Sequence, residues 1–289
     1  MAATFVTPNQ YQLNALWFGP EKPSKGYIFI HGLSSSAFSH HEILTPLVNG
    51  QTMALYFNNR GHDDVGGVRK LLPETKKGYE TQSIGAAHEV FTDCVDDVQG
   101  AIDFLKDAGI KDIYLVGHST GCQKSIYYLS QTTEKINGVI LLCPMSDYAY
   151  MVASESPDKI RKATEYAQKL VDDSESHKLL PQNIWEELLD AQRFLSLYTP
   201  NSVEEIFSYS QPDIVPTTFR KVTTPILAVL AESDEYADRA AADIIKWLKK
   251  ETKTNIEAVI VEDSGHNLVG HEDEVANLIK TWVEGLSLN

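Results

Sequence analysis

Cysteine is scarce in this chain. There are three in 289 residues, Cys94, Cys122 and Cys143, widely spaced and odd in number. That count excludes a disulfide framework and fits small buried hydrophobes in a reducing compartment, the cytoplasm. Positive charge is short as well: 25 Lys and Arg stand against 40 Asp and Glu, a formal net charge of −15. Neither nucleic acid nor an anionic membrane surface is therefore an expected partner. No apolar run approaches the roughly 20 residues that span a membrane. Met1 to Gln10 hold neither a basic stretch nor an apolar run, so no secretory signal is expected there. No glycine-rich phosphate loop and no dinucleotide fingerprint follows a strand-like run, which argues against a nucleotide cofactor. His40-His41 and His62-Asp63-Asp64 offer ligand-type side chains without the spacing of a metal site, so no metal and no other cofactor is expected. Internal repeats and low-complexity segments are also lacking. What remains, 43% hydrophobic and 22% charged, is the composition of an ordinary globular chain with a large core.

The chain is organised around one stretch, Ile113-Tyr114-Leu115-Val116-Gly117-His118-Ser119-Thr120-Gly121-Cys122. An apolar run enters Gly-His-Ser-Thr-Gly, and a helix-compatible segment with Ile126, Tyr127 and Leu129 follows. Strand, sharp turn and helix make a nucleophile elbow, which lifts the serine hydroxyl above the end of a sheet. The residues two before and two after the serine must be tiny, because strand and helix close on each other there. Gly117 and Gly121 occupy those places.

Strand-like runs recur at residues 11–18, 27–30, 53–57, 139–144, 225–230 and 256–261. Helical patterns lie between them, at about 39–48, 91–105, 240–248 and 275–286. The clearest is the helix whose Phe91, Cys94, Val95, Val98, Ala101, Ile102 and Leu105 share one face. Its Asp93, Asp96, Asp97 and Asp103 are expected on a solvated face. Residues 64–86 read as a long loop. Strand–helix alternation with buried strands predicts an α/β fold, a mostly parallel central sheet with helices on both faces. Helical patterns at 160–171, 184–197 and 203–209 interrupt that rhythm. The expected organisation is a core of residues 1–145 and 216–289 with a helical cap insert of residues 146–215. The insert is expected to leave and rejoin the sheet at the carboxyl edge that carries Ser119. Its aromatics Tyr148, Tyr150, Trp185, Phe194, Tyr198, Phe207 and Tyr209 are pocket candidates, Tyr148 and Trp185 foremost, though most are expected to pack the insert's own core.

A serine hydroxyl needs a base within hydrogen-bond reach, and the base needs a third group to hold its tautomer. His266 follows the last strand, in the loop at the edge where ligands gather; His271, at the start of the last helix, is the lesser alternative. Asp234 follows the preceding strand, among Glu232, Glu235 and Asp238, with Asp147 as the alternative placement. The order Ser119, Asp234, His266 is that of an elbow-based triad. Two N–H donors must face the developing oxyanion. Thr120 supplies one from the helix N-terminus, and Leu33, beside Gly32 in the loop after the 27–30 strand, supplies the other.

With these pieces the chain resembles the serine esterases of the α/β-hydrolase superfamily from about Tyr11 onward. The resemblance rests on His31-Gly32-Leu33, Asn59-Arg60-Gly61-His62, Gly117-His118-Ser119-Thr120-Gly121, Ser233-Asp234-Glu235 and Gly265-His266. Gly-His-Ser-Thr-Gly-Cys-Gln together with residues 143–147, 193–197 and 207–213 is similar to a fungal and plant hydrolase group that includes siderophore esterases. The resemblance implies a small-molecule carboxylic ester as substrate and an acyl-enzyme intermediate. A thioesterase, amidase or acyltransferase would use the same triad, and a hydrolase-fold protein that only binds its ligand would keep the same scaffold.

Overall fold

A computed structural model of the chain describes residues 1–286; residues 287–289, the end of the expected core segment 216–289, lie outside the described residues. The elements in order are β1 (Ala2–Val6), β2 (Tyr11–Phe18), β3 (Lys25–Ile30), α1 (His41–Leu44), β4 (Thr52–Phe57), β5 (Gly67–Leu71), β6 (Tyr79–Ser83) and α2 (Cys94–Asp107). They continue as β7 (Asp112–His118), α3 (Thr120–Gln131), β8 (Gly138–Leu142), α4 (Asp147–Ser154), α5 (Pro157–Asp172), α6 (Ala191–Tyr198), α7 (Thr217–Lys221), β9 (Ile226–Ala231), α8 (Ala241–Glu251), β10 (Ile256–Val261) and α9 (Glu272–Leu286).

One sheet runs β10-β9-β8-β7-β3-β4-β2-β5-β6, with β1 along β2. Its first six strands are parallel; β2, β5, β6 and β1 join antiparallel. The continuous apolar strands β4, β8 and β9 are buried along their whole length, as strands covered on both faces must be. On one face pack α2, α3 and α8, through Val98, Ile102, Ile126, Ile244 and Leu248. On the other pack α1 and α9, through Ile43, Leu44, Val275 and Ile279. Among the described residues no helix is long and apolar enough to cross a membrane.

Four expectations are corrected. The insert leaves the sheet at the carboxyl end of β8, but β9 runs parallel to β8, so the chain rejoins the sheet at the opposite, amino edge after α7. Residues 64–86 hold the hairpin β5–β6; its strands are mostly polar, and Val68 is their one buried residue, so hydrophobic alternation is missing from their sequence. The 184–197 pattern yields only α6, and 203–209 forms turns whose Ile206, Phe207 and Tyr209 join the sheet's core. The aspartates of α2 are not all solvated: Asp96 and Asp97 are buried against Arg60, whose Nη2 and Nε lie 2.8 and 2.6 Å from them. Burial pushes the Asp97 carboxyl up to about 6 despite that guanidinium.

Between β8 and β9, Met151, Ala163, Leu170, Trp185, Phe194 and Tyr198 form a hydrophobic cluster separate from the sheet's two. Three of the helices there, α4, α5 and α6, start on a capping side chain. Ser146, Ser156 and Asp190 accept hydrogen bonds from the backbone N–H groups of Ala149, Lys159 and Arg193.

Candidate active site

Ser119 joins β7 directly to α3 with φ 54° and ψ −126°, a conformation that costs a non-glycine residue free energy. The turn is held by the Ser119 N–H on the Leu142 carbonyl at 3.0 Å and the Cys122 N–H on the Ser119 carbonyl at 2.8 Å. A Cβ on Gly117 would stand 2.3 Å from the Gly121 carbonyl oxygen, and one on Gly121 only 1.9 Å from that of Ile30. Both positions therefore admit glycine alone. Cys122 is fully buried beneath the turn, 3.2 Å from the Gly117 and Leu142 carbonyl oxygens.

Asp234 and His266 follow β9 and β10 at the same sheet edge. His266 Nδ1 lies 2.9 and 2.8 Å from the two carboxylate oxygens of Asp234. The proton on Nδ1 is thereby directed to Asp234, and Nε2 is left as the basic nitrogen. Glu235 does different work: its carboxylate accepts the His266 backbone N–H at 2.9 Å. The His118 ring, kept neutral by burial, donates from Nε2 to the His266 carbonyl at 3.0 Å. Glu232 accepts the Asp263 N–H, Asp238 pairs with Arg239, and His271 pairs with Glu274. Asp147 accepts Gln123 Nε2 at 2.8 Å, and burial raises its carboxyl well above the ordinary range.

The loop after β3 closes the other side. The Asn59 N–H donates to His31 Nε2 at 3.3 Å, so the proton sits on Nδ1, 2.9 Å from the Gly32 carbonyl. Burial takes the His31 ring down to about 3, so it stays neutral and holds this loop. Gly32 abuts the serine; a Cβ there would lie 2.8 Å from Ser119 Cβ. Neither the Leu33 nor the Thr120 N–H is taken up by another group among the described residues. Thr120 opens α3, where the helix end favours negative charge.

Ser119, His266, Gly32 and Leu33 line one cavity of about 290 Å³, together with His40, Met145, Asp147, Tyr150, Glu187, Tyr198 and Tyr236. The two foremost pocket candidates, Tyr148 and Trp185, are not among its lining residues. Two positions along a helix are about 200° apart, so α4 turns Tyr150 to the cavity and Tyr148 to the cluster around Trp185. Trp185 packs on Phe194 and Tyr198 at 5.0 and 5.3 Å and donates to Glu187. His40 was not among the residues expected there. It takes φ 57° and lies 4.4 Å from the His118 ring, and only the tertiary fold brings it in.

Known proteins are similar to this chain in sequence or in fold. A family model described as "Protein of unknown function (DUF1749)" matches residues 77–285. A putative esterase/lipase of Mycoplasma genitalium is 24% identical over 135 residues, 47% of this chain and 43% of that protein, so the match spans less than half of either. The siderophore hydrolase EstB from Aspergillus fumigatus superposes with a TM-score of 0.66 at 16% identity, covering 95% of each chain. Est1E from Butyrivibrio proteoclasticus, solved with ferulic acid, gives 0.64 at 18% identity over 99% of this chain and 100% of its own. The architecture is the α/β-hydrolase fold.

Proposed function

The chain belongs to the DUF1749 family, and we propose that it is a serine hydrolase that cleaves carboxylic esters through an acyl-enzyme on Ser119. The observation that carries this reading is the pairing of His266 Nδ1 with Asp234 beside a cavity that also holds the strained Ser119. Ser119 Oγ attacks the ester carbonyl while His266 Nε2 takes its proton. Asp234 holds the ring and stabilises the imidazolium. The Leu33 and Thr120 N–H groups bind the oxyanion in a site built before substrate arrives. His266 then returns the proton to the leaving alcohol, and the same steps with water release the acid. His31, bonded to the Gly32 carbonyl, is a positioning residue for the Leu33 donor.

The segment 146–215 acts in this reading as a cap. Its Tyr150, Glu187 and Tyr198 form one wall of the cavity, and its own hydrophobic cluster keeps that wall in place. The substrate is a small-molecule ester, with no nucleic acid partner, and three free buried cysteines suit the cytoplasm. A panel of p-nitrophenyl esters tests the activity. Turnover of at least one ester should fall by a factor of about 10⁴ or more in Ser119→Ala with the fold retained. Hydrolysis that survives the substitution would place the chemistry elsewhere.

A further inference from the structure

Away from the Ser119 cavity, a second group of chemistry-bearing side chains joins the insert to the core. We propose that His88, His177 and Asp190 form a binding site for a divalent transition-metal ion with the ligand preference of zinc. His88 comes from the core loop between β6 and α2; His177 and Asp190 come from the stretch between α5 and α6. The Nδ1 atoms of both rings lie 2.9 Å from one oxygen, Asp190 Oδ2. One ligand atom from each residue falls within 4.8 Å of the others. Tetrahedral zinc, bound at about 2.0–2.2 Å, sets its ligand atoms about 3.3 Å apart. Each ring-to-carboxylate separation of 2.9 Å is thus within about 0.4 Å of that spacing.

The surroundings are those of a built site. Asp190 is fully buried, and its other oxygen is already used: Oδ1 accepts the Arg193 N–H at 2.8 Å and Gln192 Nε2 at 3.0 Å. Its backbone N–H donates to the Ala87 carbonyl at 2.8 Å. Oδ2 is thus fixed in place and directed at the two imidazoles. His88 and His177 both line a cavity of about 420 Å³, which leaves room for a water or an exogenous ligand as the fourth partner. Two imidazoles and one carboxylate select zinc-like ions over magnesium or calcium, which prefer oxygen. Bound through Nδ1, each ring carries its proton on Nε2, and the metal replaces two N–H donors on one carboxylate oxygen. The ion would tie α6, which carries Tyr198 to the Ser119 cavity, to the core through His88.

The test is a titration of the chelator-stripped full chain with Zn²⁺ against a chromogenic chelator, repeated with millimolar Mg²⁺ present. One equivalent should bind, Mg²⁺ should not compete, and melting should shift upward with Zn²⁺. His177→Ala alters a mostly exposed side chain, so the fold is retained. It should lower affinity by roughly 100-fold or more, since even partners behind a ligand are worth about 10–100-fold. His88→Ala should do the same, and His271→Ala, at the start of α9, should change nothing. No uptake by the native chain, uptake that survives His177→Ala, equal loss in His271→Ala, or displacement by Mg²⁺ would each overturn the assignment.

Discussion

Arg193→Met offers a quantitative test of how the insert is fastened. Arg193 is fully buried on α6. Its guanidinium pairs with both oxygens of Glu204 and, at 2.9 Å, with Glu89. Glu89 also binds the buried Lys124 of α3 at 2.6 Å. Two cations and two anions thus balance in a water-excluded layer between insert and elbow helix. Methionine fills much the same volume but removes one cation. Glu89 keeps Lys124, whereas Glu204 keeps only the Ser196 hydroxyl, at 2.7 Å. A buried charge stripped of its partner costs about 3–5 kcal/mol, against a total stability of about 5–15 kcal/mol for a typical native protein. Arg193→Met/Glu204→Gln restores neutrality, and Ser196 can still donate to the amide oxygen. The double variant should recover about 2 kcal/mol of the loss. Urea unfolding followed by tryptophan fluorescence and far-UV circular dichroism measures both. A single variant within about 1 kcal/mol of the native chain, or a double variant no better than the single, would refute this reasoning.

Gly121→Ala, which drives a Cβ to 1.9 Å from a strand carbonyl, should cost more than about 4 kcal/mol or prevent soluble expression. Gly50→Ala, into open space, should stay within about 0.5 kcal/mol, and melting curves separate the two. Burial raises the Glu205 carboxyl to about 7 from 4.5. The folded chain therefore holds that proton more tightly, and the stability it brings is complete below pH 4.5 and lost as pH rises through 7. The loss is at most about 3 kcal/mol. Glu205→Gln should flatten urea-derived stability between pH 5 and pH 8; an unchanged slope would contradict the assignment. The Ser119 cavity is lined by Glu187, by Asp147, whose carboxyl is favoured in its neutral form by burial, and, among the described residues, by no Lys or Arg. Esters with a carboxylate on the acyl chain should react about fivefold more slowly than neutral isosteres, from a repulsion of about 1 kcal/mol. Glu187→Gln should narrow that ratio in kcat/KM, and a ratio that does not move would remove Glu187 from selectivity.

Legibility in the sequence followed the kind of constraint involved. The elbow is local: Gly117, Ser119 and Gly121 report a backbone that admits nothing larger, and the parallel strands announce themselves as continuous apolar runs. The placement of Asp234 and His266 at one sheet edge is legible because each lies in the loop after a strand of the sheet. The hairpin β5–β6 was hidden because its mostly polar strands need no apolar alternation. Asp96 and Asp97 looked solvated because their partner, Arg60, lies more than thirty residues away and neutralises them only in the fold. The choice of Tyr150 over Tyr148 depends on how α4 is rotated about its axis, which the spacing of two aromatics leaves open. His88 and Asp190 are 102 residues apart, so the cluster they form with His177 has no motif to betray it.

The most direct measurement of the central claim is the mass of the intact protein after treatment with a fluorophosphonate, followed by peptide mapping. One equivalent should add, on Ser119, and the adduct should vanish in Ser119→Ala. Asp234→Asn should slow labelling by up to about 10⁴, through the wrong tautomer at His266. A folded native chain that takes up no reagent, or takes it up on another residue, would contradict an acyl-enzyme built on Ser119.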